Sequence, residues 1–103
     1  MKNDNGEAAA AFYDKRRKWL DFICELDGLD DRSFRIGYFL AKRMNGKDQC
    51  CWYTHAQIAK ILGVSQHKVI RAVANLEDKG VLLVVRSHRK PNFYYIRLPF
   101  EFG

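Results

Sequence analysis

Between Thr54 and Gly80 the chain encodes two short helices that meet at a corner, and no other stretch constrains the fold as much. Thr54-His55-Ala56-Gln57 has the form of a capping box, in which the Thr54 hydroxyl accepts from the Gln57 N–H and the Gln57 side chain reaches back to Thr54. Ile58, Ala59, Ile61 and Leu62 give the helix its apolar positions before Gly63 interrupts it. Ser65 is placed to cap a second helix running to Lys79, and Gly80 stands where a left-handed residue is needed to end it. At about 100° per residue, Val69, Ile70, Val73 and Leu76 gather on one side of that second helix. His67, Lys68, Arg71 and Asn75 gather roughly opposite.

The flanking segments supply what such a pair needs to pack against. Residues 1 to 7 are polar and read as a disordered lead-in, followed from residue 8 to 103 by one domain with an extra N-terminal helix. Phe12, Trp19, Ile23 and Leu26 recur at spacings of seven, four and three, one stripe of a helix that Gly28 ends. That stripe is expected either to cover the core or to pair two subunits, with a homodimer through this helix the favoured expectation. Asp30 or Asp31 is a fitting N-cap for a second helix through Phe34, Tyr38, Leu40, Ala41 and Met44. Apolar residues lie nearly all around it, as on a helix covered by several neighbours. Cys50-Cys51-Trp52-Tyr53 suits a short strand, and Val81 to Arg86 and Phe93 to Leu98 suit two more, joined by a loop with Pro91 and Asn92.

Charge narrows the class of partner. The net charge is +6, yet residues 1 to 48 are nearly balanced, and from Lys79 through Phe100 there is no acidic residue at all. Excess positive charge confined to the second half suggests a polyanion as partner. Lys15-Arg16-Arg17-Lys18 is a weaker signal, because four consecutive helical residues fan around most of the circumference and read as a solvated face. No run approaches the roughly 20 apolar residues that cross a bilayer, and the polar N-terminus lacks a secretory signal, so a cytoplasmic location without membrane association is expected. The three cysteines make no C-x-x-C pair and read as buried free thiols.

The order α-α-β-α-α-β-β is mainly helical with a small β-hairpin and resembles the winged helix-turn-helix fold. The stretch from Gln57 through Ser65, followed by Val69, Arg71, Val73 and Leu76-Glu77-Asp78-Lys79-Gly80-Val81-Leu82, resembles the helix-turn-helix signature of bacterial regulators. Within that group it is similar to the DNA-binding domains of phage and plasmid replication proteins and of GntR-type or MarR-type regulators. The resemblance implies a recognition helix entering the major groove of double-stranded DNA, and the residue types suit that task. Arg71 and Lys68 can donate to guanine, Gln66 and Asn75 can pair with adenine, and His67 can donate to an acceptor or a phosphate. Ser65, Thr54 and Lys60 are placed for phosphates. The resemblance also implies a wing along the backbone or in the minor groove, here His88, Arg89, Lys90 and Asn92.

No catalytic constellation is expected. Gly46-Lys47 lacks the earlier glycine and the following Ser or Thr of a phosphate loop, and the three histidines are scattered without a carboxylate or cysteine at metal-ligand spacing. No cofactor, metal or small molecule is therefore expected, and the chain reads as a DNA-binding non-enzyme in transcription regulation or DNA replication. The alternative from the same fold is a protein interaction module that does not bind DNA. Trp52, Tyr94 and Tyr95 could stack on bases in a single-strand reader, but in so apolar a strand they read first as core.

Overall fold

The computed structural model describes residues 4–88 and 91–99, with side chains from residue 6 onward. Four helices, α1 (Asp4–Cys24), α2 (Asp31–Lys42), α3 (His55–Leu62) and α4 (Gln66–Asp78), combine with strands β1 (Cys51–Tyr53), β2 (Leu82–Val85) and β3 (Asn92–Ile96). The expected element order is the observed one, and it is compatible with a winged helix. The hairpin is part of something larger, because β1 joins it to make an antiparallel sheet in the order β1-β3-β2. Cys51 stands opposite Tyr94 on one side of β3, and Val84 opposite Tyr94 on the other.

Local chemistry sets the element ends. Asp30 caps α2 by accepting from the Ser33 N–H at 2.8 Å. The capping box at Thr54 is complete, with 3.0 Å from the Gln57 N–H to the Thr54 hydroxyl and 2.8 Å from the Thr54 N–H to Gln57 Oε1. Gly63 takes φ +70° at the corner and Ser65 caps α4. Gly80, at φ +75°, turns the chain so that the Val81 N–H reaches the Leu76 carbonyl at 3.2 Å and β2 can begin. The one shift at the N-terminus concerns α1, which begins at Asp4 and so makes residues 4–7 helical where a lead-in is expected. The four alanines from Ala8 to Ala11 are the best helix formers, and propagation from them carries the helix back through a polar turn.

The core lies between α2 and the elements around it. Ile36, Leu40 and Ala41 of α2 pack with Trp19 and Ile23 of α1, with Val69, Val73 and Leu76 of α4, and with Tyr94 and Ile96 of β3. A central α2 is what its all-round apolar pattern implies. The α1 stripe is spent within the chain: Phe12, Trp19 and Ile23 are buried, and the Trp19 indole donates to the Val81 carbonyl at 2.8 Å. The observation that motivated a homodimer through this helix is thus accounted for inside one chain. Cys50 and Cys51 are buried free thiols, but Cys24 is exposed at the end of α1, against expectation. Burial pushes the Cys51 thiol up to about 12, and its Sγ lies 3.4 Å from the Leu40 carbonyl.

Candidate nucleic-acid interface

The turn between α3 and α4 fixes how α4 is presented. Its inner side, Val69, Ala72, Val73 and Leu76, is buried against α2 and α3. Its outer side holds Gln66, His67, Lys68, Ile70, Arg71 and Ala74, all exposed. Ile70 is therefore not in the core as its apolar character implies. The buried stripe runs through positions 69, 72, 73 and 76, and a residue one step from Val69 is turned about 100° away from it. Gln66, His67, Lys68 and Arg71 make no side-chain hydrogen bond or ion pair within the described residues, so their donors are free for a partner. Ser65 is exposed, and its oxygen accepts from the Lys68 N–H at 3.2 Å while its own proton remains to donate. Thr54, half-buried, likewise accepts from the Gln57 N–H at the start of α3, and Lys60 is exposed on that helix.

Asn75 does not join this surface. It is half-buried, its Nδ2 donates to the Gly28 carbonyl at 3.4 Å, and its Oδ1 is buried without a partner. The loop from α1 to α2 covers this part of α4, which its position in the helix could not reveal. Of the expected wing residues, His88 is exposed in the loop between β2 and β3. Asn92 lies in the ladder of β3 opposite Tyr53, its Nδ2 3.5 Å from the Tyr94 hydroxyl, rather than at the loop tip. Arg89 and Lys90 lie outside the described residues. Arg86, at the root of the loop, is held by a two-pronged pair with Glu77 of α4 at 2.7 and 2.9 Å, which ties β2 to α4 and raises the Arg86 pKa above its ordinary value.

The residues missed by spacing lie at the start of α2. Asp30, Arg32 and Ser33 face Ser65, His67, Lys68, Arg71 and Ala72 across a notch of about 230 Å³. Arg32 adds a third strong cation beside Lys68 and Arg71, against one carboxylate. That carboxylate, Asp30, is held below its ordinary range mainly by hydrogen bonding to Ser33, and so stays ionised as a helix cap. The nearly all-round apolar pattern of α2 hid this, since Asp31 and Arg32 of its first turn are exposed. Arg35, one turn on, donates to the Leu62 carbonyl at 3.1 Å and fixes the end of α3 against α2. The groups so assembled are hydrogen-bond donors and cations on a convex helix with a polar notch beside it. Such a surface can bind phosphate oxygens and acceptors on base edges. Among the described residues no cluster of His, Cys, Asp or Glu could hold a metal ion, and no helix is long and apolar enough to cross a membrane.

A family model described as a helix-turn-helix domain matches residues 27–82, from the loop before α2 to the start of β2. No curated protein matches the chain.

Proposed function

Because the chain belongs to the helix-turn-helix domain family, we propose that it binds double-stranded DNA in a sequence-dependent way through the outer side of α4. The observation that carries this reading is the division of α4 into a buried half and an exposed half whose His67, Lys68 and Arg71 have no partner within the described residues. Arg71 and Lys68 take guanine edges, Gln66 takes adenine, and the exposed Ile70 meets a thymine methyl group. Ser65, Thr54, Lys60 and Arg32 take phosphates on either side of the groove, and the Arg32–Lys68 notch seats one of them. His88, with Arg89 and Lys90, follows the backbone beyond. The role is that of a transcription regulator or of the origin-recognising part of a replication protein.

A salt titration tests the reading. With about five phosphate contacts per chain, log K against log salt falls with a slope of about −4 to −5. Selection from a random duplex library returns a motif, and its symmetry reports the number of chains bound. If no duplex binds even at low salt, the fold serves as a protein interaction module instead and the proposal fails.

A further inference from the structure

The sheet has two faces, and the duplex reading uses neither. Cys51, Tyr94, Val84 and Ile96 face the helices. Alternation then turns Trp52 of β1, Phe93 and Tyr95 of β3, and Leu83 and Val85 of β2 to the other side. Register makes them neighbours: Trp52 and Val85 both stand opposite Phe93, and Leu83 stands opposite Tyr95. Trp52 is 47% exposed, Leu83 42% and Val85 45%, so the face is open. The Trp52 and Phe93 rings lie 5.7 Å apart and tilted by 37°, leaving the indole accessible to a planar partner. An apolar face of this extent on a small domain calls for an occupant.

Charge selects among occupants. The three strands carry no carboxylate, and neither does any residue from Lys79 through Phe100. At the open edge of β1, the exposed Arg43 shares a recess with Trp52 and Tyr53, its guanidinium laid over the Phe39 ring at 3.8 Å. A second copy laid face to face brings more aromatic surface, but its strands bring no carboxylate, and Asp48, bonded to Asn45 beside Arg43, lies before β1 and not on the face. A single strand of DNA brings both things the face lacks, flat bases and phosphates. A duplex cannot use it, since its base faces are closed by stacking. We propose that the outer face of the sheet is a second nucleic-acid surface, on which Trp52 and Phe93 stack bases of single-stranded DNA whose phosphates run past Arg43. The site is separate from α4 and does not depend on the duplex reading.

The two tryptophans make the test direct. Trp19 is fully buried, so Trp52 is the indole that a base can reach. Titrating a short oligothymidylate at low salt should quench tryptophan emission saturably, and Trp52→Ala should abolish the quenching. By anisotropy of the labelled oligonucleotide, Trp52→Ala and Phe93→Ala should each weaken binding at least about fivefold. Trp52→Leu keeps an apolar side chain and removes the ring, so it separates lost stacking from lost packing and should weaken binding as much. Absence of saturable quenching, or a Trp52→Leu protein that binds oligothymidylate as the parent does, overturns the proposal. So does concentration-dependent dimerisation that Trp52→Ser abolishes, which would give this face to a second copy.

Discussion

Arg71 and Asn75 lie one turn apart on α4 and meet different surroundings. Arg71 is exposed beside the Arg32–Lys68 notch, while the Asn75 amide is engaged with the Gly28 carbonyl. Arg71→Ala should therefore cost about 1–3 kcal/mol of duplex affinity and relax preference at one base position, with the unfolding midpoint unchanged. Asn75→Ala should do the reverse, lowering the midpoint and leaving affinity alone; competition binding with single-base variants of the selected site, beside urea melts, checks both. His55 carries a different prediction. Its Nε2 is buried without a partner, and burial first, then the Arg86 charge, hold its pKa below the ordinary 6.5, with Glu77 pulling the other way. The unfolded chain takes up this proton near pH 6.5 and the folded chain only at lower pH. Across that window the unfolded state binds more protons, so stability is full above pH 6.5 and falls as pH drops below it. Asp30, depressed below 3.8, gives up its contribution only in a lower range. The urea midpoint should thus fall between pH 7.5 and 5.5, and His55→Gln should flatten that fall; an unchanged fall would remove His55 from the account.

The elements with the clearest sequence signals are those whose ends are decided by chemistry within four residues. Thr54 with Gln57, Ser65 with Lys68 and Asp30 with Ser33 are such pairs, and α2, α3 and α4 start where they imply. Contacts between distant residues leave no such trace. Asn75 meets Gly28 across 47 residues, and β1 pairs with β3 across some forty, so the amide's engagement and the joining of the expected strand at Cys51–Tyr53 to the hairpin emerge only from the fold. The proposed interface shows the same split, since the exposed side of α4 follows from helical phase while Arg32 comes beside Lys68 and Arg71 through the crossing of α2 and α4. The seating of α1 is likewise non-local. The Gly46 N–H donates to the Tyr13 hydroxyl at 3.0 Å, and Arg16 reaches the Met44 carbonyl at 3.0 Å. A Cβ on Gly46 would stand 2.5 Å from Ala9 Cβ and 2.7 Å from Ala9 Cα, so the α1 backbone itself must move. Gly46→Ala should lower stability by about 1–3 kcal/mol, read as a lower urea midpoint at unchanged slope, with duplex affinity intact.

At the scale of the whole molecule, the family's matched segment and the folding unit have different boundaries. The segment starts at residue 27, yet Trp19 is 0% exposed, Ile23 1% and Phe12 4%, all inside the same core as α4. Gly37 of α2 marks how closely α1 approaches, for a Cβ there would lie 3.2 Å from both the Trp19 ring and Ile23 Cδ1. The indole also holds the Val81 carbonyl, which accepts the Arg97 N–H as well at 2.9 Å, so α1 fixes the start of the hairpin and not only the helices. Truncating one buried aromatic residue costs about 3–5 kcal/mol, while a small domain has about 5–15 kcal/mol in all. Removing Phe12, Trp19 and Ile23 together therefore exceeds what the rest can supply. A fragment starting at Asp27 keeps the entire matched segment and the hairpin, yet it should lose the cooperative urea transition, the near-ultraviolet circular dichroism of a packed core, and duplex binding with them. The alternative outcome is equally plain. If that fragment melts cooperatively and binds DNA as the full chain does, α1 is an accessory laid over a finished core, and the orientation of α4 owes nothing to it.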